Sequence, residues 1–106
     1  MTTSEFDNYI IYHESKPNSI EKAVITCFMG EKTVGYIHFY DGAVPEPEVL
    51  PTGVMRLCFH FDRLPEIINT IRYEKPLYIS LYEDKSVLST IREPVGEQEG
   101  SISPAD

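Results

Sequence analysis

The run VMRLCFHFDRLPEIINTIRYEKPLYISLYE, residues 54–83, changes its hydrophobic period twice. Over residues 54–61 side chains alternate, with Leu57, Phe59 and Phe61 on one side and Arg56, Cys58 and His60 on the other. That is the period-two pattern of a strand with two distinct faces. From residue 62 the period lengthens. Leu64, Ile67, Ile68 and Ile71 stand at i, i+3, i+4 and i+7, one apolar stripe of a helix, while Arg63, Glu66, Asn69, Thr70 and Arg72 take its other side. Asp62 is placed to cap this helix, and Pro65 falls in the first turn, where a missing N–H costs nothing. Pro76 ends the helix near Glu74. Residues 77–83 return to period two, with Leu77, Ile79 and Leu81 against Tyr78, Ser80 and Tyr82.

Strands extend outward from this unit. Residues 33–40 (TVGYIHFY) alternate in the same way and follow residues 20–29 (IEKAVITCFM) across a tight connection at 30–32, so the two are expected as a hairpin. Residues 8–13 (NYIIYH) form an earlier strand and residues 86–92 a last one, after a turn at 84–85. A turn cluster, ESKPNS at 14–19, separates the first two. The order β-β-β-β-α-β-β predicts an α+β fold: a curved antiparallel sheet of about six strands with one helix packed on one face. The strand–helix–strand step leaves room for a parallel pair. Residues 1–7 are read as a disordered N-terminus and residues 8–93 as a single domain. Residues 41–53 (DGAVPEPEVLPTG), with three prolines, read as a long acidic loop, and residues 94–106 as a flexible acidic tail.

The 106 residues carry a net charge of −8, and most of it sits on that loop and tail. Removing Asp41, Glu46, Glu48, Glu93, Glu97, Glu99 and Asp106 leaves ten acids against nine bases. A nearly neutral body with acidic appendages lacks the basic footprint that nucleic-acid binding needs. No apolar run is long enough to span a bilayer, and the N-terminus has no secretory pattern, so neither nucleic acid nor membrane is an expected partner. Cys27 and Cys58 lie inside apolar strands, where a free thiol behaves as a small hydrophobe; the expected compartment is the reducing cytoplasm.

Strand alternation defines the candidate site. Opposite the core-facing lists stand Tyr36, His38 and Tyr40 on one strand, Arg56, Cys58 and His60 on the next, and Tyr78, Ser80 and Tyr82 on the third. Four of the seven tyrosines and two of the three histidines fall in these lists. A solvated face is ordinarily rich in Lys, Glu and Thr. Tyr and Arg instead dominate interface hot spots, because they bury large area and still hydrogen-bond. The binding residues expected here are Tyr36, His38, Tyr40, Arg56, His60, Tyr78 and Tyr82. The bland alternative is that tyrosine simply suits strands.

The chemical alternatives are thinner. His38, Cys58 and His60 contain the beginnings of a zinc site, but no fourth ligand is evident. Cys58 with a histidine base is a nucleophile only if something activates the thiol, and LCFHF matches no nucleophile elbow. Gly-rich phosphate loops are absent. Aromatic stacking of single-stranded RNA conflicts with the charge balance. No cofactor and no catalytic residue is therefore expected.

The stretch from LCFHFDRLPEIINTIRYEKPLYISLYED to STIREPVGEQEG resembles a set of short uncharacterised bacterial proteins. The features that carry it are an R-x-P turn at Arg63–Pro65, an E-K-P-x-Y strand at Glu74–Tyr78, and the run Ser89–Glu99, together with the TVGYIHFY-like strand. The resemblance implies a strand–helix–strand core and no known activity. It also implies that Arg92 and Glu93 hold the following segment against the domain.

The function read from these residues is a non-enzymatic binding or accessory module. It would self-associate as a homodimer, or dock a protein, through the Tyr/His face. The rival reading is a small-ligand protein or small enzyme with a pocket where His38, Arg56, His60 and Tyr78 converge. A third gives the acidic loop and tail a basic partner.

Overall fold

The computed structural model describes residues 1–16 and 18–91. The elements are β1 (Thr2–Phe6), β2 (Asn8–His13), β3 (Glu21–Met29), β4 (Lys32–Tyr40), β5 (Glu48–Val49), β6 (Met55–His60), a 3₁₀ turn (Phe61–Arg63), α1 (Leu64–Tyr73), β7 (Leu77–Tyr82) and β8 (Lys85–Thr90). The fold is α+β, mostly strand, with one short helix. The strands divide between two sheets. One has the order β2-β3-β4-β6-β5 and the other the order β1-β7-β8. All pairings are antiparallel except β4 with β6, which run parallel with Ile37 beside Leu57 and Phe39 beside Phe59. The parallel step thus comes from the long Pro-containing connection and not from the strand–helix–strand unit.

The two sheets and the helix share one core. Ile37, Phe39, Leu57 and Ile79 are fully buried, with Leu77 and the helical Leu64, Ile67 and Ile71 nearly so. All eight come from the lists that period-two and period-3.6 alternation assigned inward; Phe59, Leu81 and Ile68 of the same lists are half-buried against this core. Phe6, Ala23, Ile25, Cys27 and Met55 complete the core. The sheets approach closely at Gly35, where an added Cβ would overlap Ile79 Cδ1 and sit 3.3 Å from the Met55 carbonyl. Phe61 departs from its expected place: it is 37% exposed, because β6 ends at His60 and the chain turns before Phe61 can point inward.

The fold departs from the expected one at four further places. Residues 2–6 are a strand and not a frayed end: β1 pairs with β7, from Thr2 beside Leu81 to Phe6 beside Leu77, and buries Phe6. The partner lies more than seventy residues away. A two-residue strand, β5, occurs inside the Pro-rich segment and pairs with β6 through Glu48–Arg56 and Val49–Met55. Gly53, at φ 89°, makes the turn between them, donating to the Leu50 carbonyl at 2.8 Å. Asp62 does not cap α1. The 3₁₀ turn intervenes, His60 Nδ1 accepts from the Asp62 N–H at 3.2 Å, and Arg63 precedes α1 without a side-chain cap. Pro65 still occupies the first turn, and Glu74 leaves the helix in extended conformation. The last strand ends at Thr90 and not at Arg92. Arg92, Glu93 and the tail 94–106 lie outside the described residues, as does Pro17 of the turn cluster.

The corner between β1 and β2 is latched to the β3–β4 turn. Asp7 Oδ1 accepts from the Gly30 N–H at 3.0 Å and from Asn8 Nδ2 at 2.7 Å, and Asn8 Nδ2 also donates to the Gly30 carbonyl at 3.0 Å. The Gly30 N–H, followed by the Asn8 amide, holds the Asp7 carboxyl below its ordinary value of 3.8. Such a group contributes stability above that value, and the contribution fades as pH falls through the lower folded pKa. Asp7→Ala is therefore expected to be less stable than the parent at pH 7, with a narrower gap at a pH below 3.8. Urea titrations at both pH values check this; an unchanged gap would remove the carboxylate from the latch.

Candidate functional site

The outer face of the five-stranded sheet carries the site. The parallel register of β4 and β6 sets Tyr36 beside Arg56, His38 beside Cys58 and Tyr40 beside His60. Next to them, β3 places Thr26 beside Tyr36 and Val24 beside His38. The outermost strand sets Ile10 beside Thr26 and Tyr12 beside Val24. Rings run down β4: His38 stands 6.2 Å from Tyr36 edge-on and 6.2 Å from Tyr40 in a stacked arrangement. Cys58, Tyr40 and Thr26 are buried in this layer, while Tyr12 is 56% and Ile10 45% exposed.

An open depression of about 420 Å³ lies on this face, lined by Tyr12, Val24, Thr26, Tyr36, His38, Leu50 and Arg56. Leu50 reaches it from the Pro-rich segment, which borders the face without burying it.

His38, Arg56 and His60 each lie beside an acid of the same chain. His38 Nδ1 lies 2.7 Å from Glu21 Oε1, Arg56 NH2 lies 2.5 Å from Glu48 Oε2, and His60 Nδ1 lies 3.0 Å from Asp62 Oδ1. Arg56 Nε is buried without a hydrogen-bond partner among the described residues. Burial works against the Arg56 charge. Neighbouring Cys58 and the Glu48 carboxylate outweigh it and raise the guanidinium pKa. Burial pushes the Cys58 thiol up against the pull of Arg56 and Tyr40, so the sulfur is a thiol at neutral pH and not a nucleophilic thiolate. Burial likewise raises Tyr40, helped by the acidity of Cys58 and Glu21 around it. Cys27, on the core side, is pushed up to about 12 by burial. Among the described residues no three His, Cys, Asp or Glu side chains are grouped to hold a metal ion. The parallel register sets His38 beside Cys58 on adjacent strands.

Five of the seven expected binding residues converge: Tyr36, His38, Tyr40, Arg56 and His60 share this face. Tyr78 and Tyr82 do not. Their strand belongs to the other sheet, where Tyr78 pairs with Glu5 and Ser89 and neighbouring Ser80 bonds Thr3 Oγ1 at 3.0 Å. A pocket joining His38, Arg56, His60 and Tyr78 is accordingly not formed; only His38 and Arg56 line the depression. Ile10, Tyr12, Val24, Thr26 and Leu50 belong to the face without having been assigned to it. Alternation within residues 8–13 and 20–29 carries that signal, once the pairing of those strands is known.

A larger hollow, about 590 Å³, lies between the β1–β2 corner, the end of α1 and the connection into β7. It mixes Glu5, Asp7 and Glu74 with Arg72 and Lys75 around Phe6 and Tyr9, and no group of one chemistry converges in it. The apolar face is the better-defined site despite its smaller depression.

The fold and site together define a two-sheet α+β protein that presents an aromatic sheet face on which His38, Arg56 and His60 each lie beside an acid. Comparison with protein-family models, with curated proteins and with solved structures finds no match to this chain.

Proposed function

We propose that the protein is a non-enzymatic binding module that docks a protein surface, a second copy of itself first of all, through the outer side of its five-stranded sheet. The observation that carries this reading is a set of exposed apolar groups on a face whose histidines and arginine each lie beside an acid of the same chain. Ile10, Tyr12 and the apolar depression face outward, while His38, Arg56 and His60 are each occupied by an acid of the same chain. The protonated Cys58 thiol argues for binding over nucleophilic chemistry. Two free, buried cysteines fit a reducing compartment such as the cytoplasm. No helix among the described residues is long and apolar enough to cross a membrane.

Sedimentation of purified protein tests the reading. The parent chain is expected to dimerise, Tyr12→Glu to shift the population to monomer, and Tyr82→Glu, on the other sheet, to leave the dimer intact. A parent that stays monomeric at all concentrations, or equal effects of the two substitutions, overturns it.

A second reading has one observation in its favour. The depression's volume, about 420 Å³, falls within the range of small-molecule sites, and its apolar lining fits a flat apolar ligand. Saturable binding of such a ligand by a strictly monomeric chain would favour it.

A further inference from the structure

We infer that two copies of this protein join edge to edge, β2 against β2 in antiparallel pairing about Ile11, so that their five-stranded sheets become one and their outer faces form a single platform. The inference rests on the self-association reading above but places the contact between the copies at the β2 edge, beside Ile10 and Tyr12, so that the two outer faces adjoin and do not stack on each other.

Among the described residues the five-stranded sheet ends in β2 on one side and β5 on the other. Sheets protect their edges with short strands, charges, prolines or bulges. The β5 edge is two residues long and carries Glu48. β2 has six residues, NYIIYH, with no lysine, acid or proline, and its register against β3 is unbroken from Asn8 to His13. It is the undefended edge.

The bonding pattern along β2 fixes which groups are free. Glu14 N–H donates to the Lys22 carbonyl at 2.8 Å, in the register that sets Asn8 beside Phe28 and His13 beside Ala23. Antiparallel alternation then gives Asn8, Ile10 and Tyr12 the pairs bonded to β3, and turns the N–H and C=O groups of Tyr9, Ile11 and His13 toward the open edge. A second β2 satisfies these when Ile11 faces Ile11 of the partner copy and Tyr9 faces its His13, which closes about six hydrogen bonds. The two-fold axis stands perpendicular to the sheet and keeps both outer faces on the same side.

The same register places Ile10 directly opposite the partner copy's Tyr12, in a non-hydrogen-bonded pair whose Cα atoms approach to about 4.5 Å. These are the two large apolar side chains that β2 leaves exposed. Charge agrees as well: Glu14 falls opposite Asn8 and Asp7 opposite Ser15, so no like charges face each other.

Register-specific crosslinking tests the pairing. Ile10→Cys and Tyr12→Cys are made separately, both at exposed positions, while the native Cys27 and Cys58 are buried and contribute little background. The two variants mixed and mildly oxidised are expected to give severalfold more disulfide-linked dimer than either alone. A parent that sediments as a dimer while the mixture shows no such excess overturns the edge pairing and leaves self-association standing. A monomeric parent overturns both. A covalent dimer that also keeps the platform open to a third protein is the result expected if the face serves as the docking surface of the joined pair.

Discussion

Gly35→Ala is expected to destabilise the fold by about 1–3 kcal/mol, the range for an extra methyl forced into a packed core. On strand propensity alone the substitution looks favourable, since glycine weakens a strand interior. The opposing fact is the closeness of the two sheets at this point. A Cβ on Gly35 would overlap Ile79 Cδ1, and the Met55 carbonyl stands 3.3 Å from it on the other side. Ile79 has no free space to swing into, being fully buried. Ile79→Val removes the offending methyl and alone costs about 0.5–1.5 kcal/mol. The double variant Gly35→Ala, Ile79→Val is therefore expected to be more stable than the sum of the single effects allows. Chemical denaturation of the four proteins measures that coupling. Strict additivity would mean that the sheets separate to admit the methyl and that the contact carries no specificity.

Gly35 also marks the limit of what the sequence made legible. Alternation within TVGYIHFY, VMRLCFHF and LYISLY placed Ile37, Phe39, Leu57, Leu77 and Ile79 inside, and the structure buries all five. The 3.6-residue period found the helix to within a residue or two of Leu64–Tyr73. These are local signals, set by which side chains share a face. Which strands lie side by side is not local. β1 joins a strand more than seventy residues away, and TTSEF holds a single large apolar side chain to announce it. β7 looked like a neighbour of β6 because only one helix separates them, yet it crosses to the other sheet. Tyr78 and Tyr82 went with it. The candidate face therefore lost two members to a topological step and gained Ile10, Tyr12, Val24 and Thr26 by the pairing of β2 and β3. Alternation found the correct surface of each strand and had no means to say which surfaces adjoin.

The sharpest use of that alternation lies between two consecutive residues of β4. Phe39→Ala is expected to cost about 3–5 kcal/mol, enough to leave a domain of this size barely folded or unfolded. Its ring is fully buried, stands 6.1 Å from the Phe59 ring, and pairs in register with Ala23 on one side and Phe59 on the other. His38→Ala, one residue earlier, is expected to cost less than about 1 kcal/mol, because its partner Glu21 is 41% exposed and returns to water when the imidazole is gone. Its effect should appear in association instead. Removing the ring takes away the aromatic surface between Tyr36 and Tyr40 and leaves Glu21 without its partner on the same face. Thermal unfolding and sedimentation of the two variants separate these outcomes. Phe39→Ala should lose its cooperative transition or have it shifted far down, while His38→Ala should keep its melting temperature within a few degrees and bind its partner less tightly. If His38→Ala melted as early as Phe39→Ala, the outer layer of β4 would be part of the core. The distinction between a side that builds the fold and a side left for contact would then fail at the strand where it is clearest.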